Sequence, residues 1–285
     1  MKTKFWVLGA TLCFLCSDFG AFAQSSTPVD TMGIVKKVAD ELGMARPVQP
    51  PGGTLRGVDG ILFVASGTMT TPSLSGAWAT AKITKLTTEV TYYQYSQGIA
   101  TSPGIRCDFT LADASGKVHR DVLTAAGGFA WDQHDLDGPA TPATNALDER
   151  LKEIWSTPHG LIWAALAPDG KRLASGVTVS KSGPHVVLLI PENGVAMKVT
   201  LDEQNRPARV EVPVTDPILG DTVLEAFYSG YRDFENAYGV FFPTTIVEKL
   251  AGRTIMNLTV SAFHTNPYIV FPIPANIRGR DAIVQ

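Results

Sequence analysis

The stretch Asn145–Ala167 reads NALDERLKEIWSTPHGLIWAALA and is the one long segment in the middle of the chain with a helical period. Its apolar residues recur at i, i+4, i+7 and i+8, the spacing of one helix face: Leu147, Leu151, Ile154 and Trp155. Charged residues cover the opposite side of the same helix: Asp148, Glu149, Arg150, Lys152 and Glu153. Ser156-Thr157-Pro158 ends this helix and begins a second one, because Ser or Thr caps a helix and Pro is tolerated in its first turn. The pattern predicts two consecutive helices.

Residues 1–23 have the features of an export signal. Lys2 and Lys4 precede an apolar run from Phe5 to Cys16, and Ala21-Phe22-Ala23 is a small-x-small cleavage site. The apolar run is too short to span a bilayer. We therefore expect cleavage after Ala23 and a bacterial protein that is periplasmic or secreted, with no transmembrane segment in the mature chain.

Charge and cysteine content exclude some functional classes. The full sequence has 24 basic and 27 acidic side chains, and loss of Lys2, Lys4 and Asp18 with the signal changes the net charge from −3 to −4. This charge does not suit a nucleic-acid-binding protein. Cys107 is the only cysteine after the signal, so an intramolecular disulfide cannot form. A hydrophobic core therefore has to stabilise the fold.

Two runs of strand-like sequence flank the helical centre. Residues 24–53 precede them, with an amphipathic helix over Thr27–Gly43 and a Pro/Gly linker over Arg46–Gly53. Candidate strands before the centre are Ile61–Thr71, Ala77–Thr84, Thr87–Tyr95, Ile105–Leu111, Val118–Ala125 and Phe129–Trp131. Candidate strands after it are Val177–Val179, Val186–Ile190, Val195–Leu201, Ala208–Val214, Val223–Tyr231, Val240–Leu250 and Thr254–Phe263.

Short turns connect these strands, which favours an antiparallel sheet. Asn193-Gly194 is the strongest turn signal, since both residues tolerate a positive φ. The aromatic run Thr91–Tyr95 is typical of a central strand. We predict an α+β fold in which residues 54–275 form one domain and residues 276–285 form a flexible tail.

Metal binding is one chemistry to consider. His134, Asp135 and Asp137 place three potential ligands in four residues of a loop, although a solvated acidic turn has the same composition. The other histidines are isolated in sequence: His119, His159, His185 and His264. Only the fold could bring them together.

Covalent or acid–base catalysis would depend on single residues. Cys107 lies in a predicted strand, which favours a small buried hydrophobe over a reactive thiol. His159 is expected in the first turn of the second central helix, where a neutral imidazole is favoured. It is either a catalytic base or a histidine bonded to a backbone carbonyl or to the opposite strand. No Gly-x-Ser-x-Gly elbow occurs.

Several segments resemble the non-catalytic N-terminal domain that precedes the catalytic domain in some exported bacterial metallo-β-lactamase-fold proteins. They are Trp155–Gly160, Ala164–Leu166, Asp216–Asp221, Tyr228–Phe234 and Gly239–Thr244. The part from Tyr228 to Pro243 is also similar, more distantly, to periplasmic lipoprotein carriers of the LolA/LolB type. The carrier resemblance implies a curved antiparallel half-barrel with helices over its open side, and an apolar ligand. The zinc-binding His-x-His-x-Asp-His sequence of the metallo-β-lactamase fold is missing, so no catalytic residue carries over.

We therefore predict a LolA-like half-barrel whose central helices pack on or in its concave face. The expected function is that of a non-catalytic binding or accessory module without a cofactor, for a hydrophobic small molecule, a lipid or an exported partner protein. The alternative is a metal-dependent hydrolase or an accessory subunit of one. Aromatic residues either fill the core or line a ligand cavity. If a ligand exists, the residues expected to contact it are Trp155, Leu161, Ile162 and Trp163.

Overall fold

The computed structural model describes residues 30–44, 57–72, 77–92, 94–96, 99–101, 103–135, 138–167, 170–182, 185–192, 195–216, 218–234 and 239–281. The predicted signal and Pro/Gly linker lie outside these ranges. The helices are α1 (Thr31–Glu41), α2 (Leu147–Ser156), α3 (Pro158–Ala165) and α4 (Ala275–Asp281), and a 3-10 turn (Thr144–Ala146) precedes α2. In the described part of the chain, none of these helices is both long and apolar enough to span a membrane.

Seventeen strands are described. They are β1 (Gly60–Pro72), β2 (Trp78–Thr91), β3 (Gln94–Ser96), β4 (Ile99–Thr101), β5 (Gly104–Ala112), β6 (Val118–Ala126), β7 (Phe129–His134), β8 (Thr141–Pro142), β9 (Thr178–Ser182), β10 (His185–Glu192), β11 (Val195–Leu201), β12 (Pro207–Asp216), β13 (Gly220–Ser229), β14 (Arg232–Asp233), β15 (Phe241–Phe242), β16 (Thr245–Leu250) and β17 (Arg253–Thr265).

Thirteen of these strands form one sheet in the order β8-β7-β6-β5-β2-β1-β17-β16-β13-β12-β11-β10-β9. Every pairing in it is antiparallel, and its end strands β8 and β9 do not pair with each other, so the sheet is open. The β1–β17 pair joins the strands before the helical centre to those after it. The remaining pairs, β3–β4 and β14–β15, form two small separate sheets. The predicted antiparallel sheet is confirmed.

The break between α2 and α3 lies where the sequence predicts it. Thr157 separates the two helices, and its Oγ1 accepts a hydrogen bond from the Gly160 N–H at 3.1 Å. Pro158 occupies the first turn of α3. The Thr157 hydroxyl also bonds the Ile154 carbonyl oxygen and the Tyr92 hydroxyl, each at 2.8 Å. One hydroxyl therefore connects both helices to the residue that follows β2.

Helix α1 belongs to the main hydrophobic core. Asp30 caps its first turn by accepting a hydrogen bond from the Gly33 N–H at 2.8 Å. Its C-terminal end docks through the Leu42 carbonyl, which accepts from the Phe241 N–H at 3.2 Å. Gly43 has a φ of +77°, and a Cβ there would lie 2.2 Å from the Gly239 carbonyl oxygen, so only glycine fits. The helix predicted over Thr27–Gly43 is confirmed in its described part.

Three of the predicted strands are divided differently in the structure. Ala77–Thr84 and Thr87–Tyr95 were expected as two strands, but β2 is continuous because a bulge between Ile83 and Lys85 absorbs the irregularity. Val240–Leu250 is divided into β15 and β16 at Pro243, which has no N–H to donate to a strand pair.

The aromatic run Thr91–Tyr95 does not continue the central strand. β2 ends at Thr91, and Tyr92 is buried beneath the helices, where its ring stacks on Trp155 and Trp163. Hydrophobic burial under α2 and α3 therefore prevails over strand propensity at this position.

Residues 276–281 of the expected flexible tail belong to α4, which begins at Ala275. Ile277 is buried in a second, smaller apolar cluster with Trp131 and Phe271. The Asn276 side chain donates a hydrogen bond to the Ala140 carbonyl oxygen at 2.7 Å. An apolar side chain and a specific polar contact thus hold this segment on the edge of the sheet near β7 and β8.

Candidate functional site

A cavity of about 360 Å³ lies between α2 and one face of the sheet. Its walls are mostly apolar side chains from nine strands: Phe63, Met69, Leu86, Ile105, Phe109, Leu123, Val214, Leu224, Phe242, Ile246, Leu250, Met256 and Leu258. Its volume is in the range of small-molecule sites in proteins, roughly 300–1,000 Å³. The cavity is therefore the principal candidate site in the described part of the chain.

Alternation along the strands builds the lining. Side chains at i, i+2 and i+4 of a strand point to one face, so one apolar series per strand faces the cavity. β5 contributes Ile105, Cys107 and Phe109, and β16 contributes Ile246, Glu248 and Leu250. Glu248 is therefore a carboxyl group at an inward position of an otherwise apolar series.

The charged side of α2 also borders the cavity. Glu149, Lys152, Glu153 and Ser156 line it at i, i+3, i+4 and i+7. From the sequence, these charges were expected only to lie opposite the apolar stripe of the helix. In the structure, the charged face of α2 covers the cavity. Arg150 departs further from that expectation, since it is only 8% exposed.

Arg150 anchors α2 to one half of the sheet. Its guanidinium donates hydrogen bonds to the Thr124 and Trp131 carbonyl oxygens, each at 3.0 Å, and pairs with the Asp132 carboxylate. At the other end of α2, the Tyr228 hydroxyl donates to the Ser156 carbonyl oxygen at 2.9 Å. α2 is therefore fixed by polar contacts at both ends of the cavity.

Glu153 and Glu248 dominate the electrostatics of the cavity. Burial raises the pKa of Glu248 to about 7, because it removes water from the charged carboxylate. Burial, followed by the neighbouring Glu248 carboxylate, raises the pKa of Glu153 to about 8, and Arg150 acts in the opposite direction. By accessible surface, however, Glu153 is exposed and Glu248 is half-buried. Glu153 therefore lies where the cavity meets solvent, and Glu248 lies farther inside.

Cys107 is the lining group closest in character to a nucleophile, but it is kept as a thiol. Burial, and then the negative charge at Glu153, raise the pKa of the Cys107 thiol far above its ordinary value. Thr88 Oγ1 donates a weak hydrogen bond to its sulfur at 3.9 Å. Its strand position agrees with the small hydrophobe expected from the sequence, although its side chain faces a cavity and not a filled core.

The four residues expected to contact a ligand lie in the core and not in the lining of this cavity. Leu161, Ile162 and Trp163 are buried in α3, and Trp155 is partly buried. The indole N–H of Trp163 donates to the Val58 carbonyl oxygen at 2.7 Å. Ligand contact by these residues stays a prediction, since their observed role is packing.

His159 is fully buried in the first turn of α3. Its ring stacks on Phe263 and Phe242, with centroids 5.5 Å and 6.0 Å away. Burial lowers the pKa of His159 to about 4. The Leu42 carbonyl favours the charged ring, but its geometry falls outside that of a hydrogen bond, and neither ring nitrogen has a described hydrogen-bond partner. The Leu42 carbonyl is thus the backbone group beside the His159 ring, and its contact with the ring is looser than a hydrogen bond.

The three residues considered as metal ligands, His134, Asp135 and Asp137, are described only in part. His134 is mostly exposed, and its Nδ1 lies 2.7 Å from an Asp121 carboxylate oxygen, which raises the pKa of the imidazole. Asp135 has a positive φ of 65° in the turn after β7, and Asp137 lies outside the described residues. Among the described residues, no group of three His, Cys, Asp or Glu side chains has the arrangement of a metal site.

Comparison with known proteins does not identify a family. The chain matches no protein-family model and no curated protein sequence. The site therefore has to be interpreted from its own geometry.

The two residues that sequence reasoning missed are Glu153 and Glu248. The available signal was the charged residue within the alternating apolar series of Thr245–Leu250.

Proposed function

We propose that this protein is an exported, non-catalytic binding module that holds an apolar small molecule or lipid in the cavity beneath α2. The apolar lining of that cavity, contributed by nine strands, is the observation that carries the proposal. An unfilled apolar hollow forgoes dispersion contacts and hydrophobic burial. An apolar occupant would restore both.

The connections of α2 support a sheet curved into a half-barrel. Arg150 bonds to Thr124 on β6, and Ser156 bonds to Tyr228 on β13. Five strands lie between β6 and β13 in the sheet, so a flat sheet would separate them by about 29 Å at the usual strand spacing of about 4.8 Å. α2 has 10 residues, which corresponds to a length of about 15 Å.

A sheet that curves around α2 brings both strands within its reach. Bulges at Ala65–Gly67 and Ile83–Lys85 add local bending in strands that line the cavity. This shape agrees with the half-barrel of the LolA-type carriers that the sequence resembles, and with an occupant held between the helix and the concave face. The export expected from residues 1–23 would place such a module in the periplasm or outside the cell.

The alternative, a metal-dependent hydrolase or an accessory subunit of one, draws less support. His159 is buried among aromatic rings away from the cavity lining, and the cavity thiol is held in its unreactive form. A non-enzymatic binding role therefore explains the properties of the described residues with fewer assumptions than a hydrolase.

Cys107 offers a direct test, because it reports on the inside of the cavity. We expect saturating decanol, added below the concentration that unfolds the protein, to slow labelling of Cys107 by methylmercury chloride, which also reacts with a protonated thiol, about ten-fold or more by excluding the reagent. The control is the double variant Cys107→Ser/Ser261→Cys. Its thiol lies at an exposed position of β17, outside the cavity lining, and should label at the same rate with and without decanol.

Native mass spectrometry of protein taken from the periplasm completes the test. A co-purified small molecule or lipid would support the proposal. Unchanged labelling of Cys107 in decanol, together with recovery of the chain bound only to another protein, would overturn it in favour of a structural accessory role.

A further inference from the structure

We infer that the occupant of the cavity is a cationic amphiphile, with its apolar chain in the deep part and one ammonium head group at Glu153 and Glu248. This inference rests on the proposed function and specifies the chemical class of the ligand. The buried side chains of the lining include aromatic and aliphatic groups such as Phe63, Phe242 and Ile105, and these define its deep wall. A single apolar chain matches that wall.

The charges around the cavity favour a cation over an anion. Its lining has four carboxyl groups and one ammonium group: Glu149, Glu153, Asp216, Glu248 and Lys152. Asp216 is already engaged, because it accepts hydrogen bonds from the Ile218 and Leu219 N–H groups at 2.8 Å and 2.7 Å. Lys152 is the only group there that could attract an anion, and Glu149 and Glu153 lie on the same helix face beside it.

Glu153 and Glu248 have no partner of their own. Among the described residues, neither one forms an ion pair. Glu248 is half-buried, and Glu153 lies on the exposed side of the same cavity. Arg150, the cation that acts on Glu153, is already paired with Asp132. An ammonium ion between the two carboxylates would supply a counter-charge and N–H donors. Two such groups, one on α2 and one on β16, approach the head-group position from opposite walls of the cavity.

Proton exchange on binding distinguishes a pocket that holds an ammonium head group from one that binds apolar groups alone. An ammonium head favours the ionised carboxyls, so its binding should release protons. A neutral alcohol displaces water and disfavours ionisation, so its binding should take protons up. The other charged or titratable groups that face or act on this pair are Glu149, Arg150, Lys152, Asp216, Cys107 and Tyr228.

Isothermal titration calorimetry at pH 7 tests the inference with decylammonium and decanoate below their micelle concentrations and decanol below its solubility limit. We expect decylammonium to bind about ten-fold or more tightly than decanol, and decanoate to bind most weakly. The variant Glu153→Gln/Glu248→Gln should lose this preference while its affinity for decanol changes by less than about three-fold. Glu203→Gln, in an exposed turn, is the matched control and should keep the preference.

Repeating the titration in two buffers of different ionisation enthalpy measures the protons. Release with decylammonium should disappear in the double variant, and if that variant does not fold, the two single variants decide. Equal affinity for decylammonium and decanol, or tightest binding of decanoate, overturns the inference and leaves the binding module intact. Failure of all three probes to bind would instead reject the proposed function.

Discussion

Helices α2 and α3 follow one another with a single residue between them, yet they cover very different parts of the interior. All eight residues of α3 are buried, whereas only Arg150 and Ile154 are buried among the ten of α2. Beneath α3 the side chains of Leu161, Ile162 and Trp163 complete a filled core. Beneath α2 the sheet and the charged helix face enclose a cavity.

The difference separates residues that maintain the fold from residues available for binding. A filled region leaves no volume for a ligand, and a substitution there costs both transfer free energy and packing. A hollow region tolerates changes in volume, and two of its carboxyl groups, Glu153 and Glu248, form no ion pair with a described residue. The candidate ligand contacts therefore belong under α2, although α3 is the most apolar of the described helices.

The largest expected effect comes from truncating a leucine on the filled side. Leu161→Ala should lower the free energy of unfolding by about 2–5 kcal/mol, because it leaves a new cavity in a packed core. Leu123→Ala, on the cavity wall, removes the same atoms from a partly exposed side chain and should cost about 1 kcal/mol. Urea denaturation followed by circular dichroism measures both. Equal losses would mean that the cavity is not a hollow in solution.

The next effect is a difference in pH dependence between the two regions. His159 has a pKa of about 4 in the fold against its ordinary 6.5, so between these values only the unfolded chain is protonated there. The free energy of unfolding should therefore fall by about 2–4 kcal/mol as the pH is lowered from 6.5 to 4. Glu248, with a pKa of about 7 against 4.5, should act oppositely and reduce stability as the pH rises from 4.5 to 7.

Urea midpoints measured from pH 4 to pH 8 check these two signs. His159→Phe should flatten the acidic limb, and Glu248→Gln should flatten the neutral limb by a smaller amount, since water in the cavity hydrates the carboxylate. His185→Gln, at an exposed position of β10, serves as the control and should leave both limbs unchanged. A His159→Phe profile that still falls between pH 6.5 and 4 would assign that limb to other groups.

The smallest effect concerns the residue between the two helices. Thr157→Ala removes the cap on the Gly160 N–H and the bond to the Tyr92 hydroxyl, and should cost about 1–2 kcal/mol. Thr157→Ser keeps the hydroxyl and should cost less than half as much. Thermal unfolding of the three proteins makes the comparison. An effect of Thr157→Ala confined to decanol binding would show that the break positions α2 over the cavity without stabilising the fold.

Local patterns in the sequence were sufficient for much of the secondary structure. The two central helices, their break at Thr157-Pro158 and the antiparallel sheet were predicted from periodicity, caps and turns, which depend on neighbours within a few residues. Errors occurred where distant contacts prevail over local preference. Tyr92 leaves its strand to pack under the helices, and Ile277 holds a helix where a flexible tail was expected.

The candidate site was less accessible to sequence reasoning. Hydrophobicity singled out four residues as ligand contacts: Trp155, Leu161, Ile162 and Trp163. This criterion could not separate a ligand site from a filled core, because apolar helices are typical of both. Glu153 looked like one more solvated charge on α2, and Glu248 like one more charge on a strand. Nothing in the sequence around Glu153 or Glu248 indicates that the two side chains border the same cavity.

The sequence by itself determined which segments form helices and strands, because backbone conformation follows from short-range spacing, capping and turn residues. Only the tertiary structure decided which face of α2 looks into a hollow and that β6 and β13 are tied to the same short helix. The physical reason is that a cavity is a property of surfaces brought together from nine strands and the two central helices. Its shape and charge depend on their packing, which no single segment encodes.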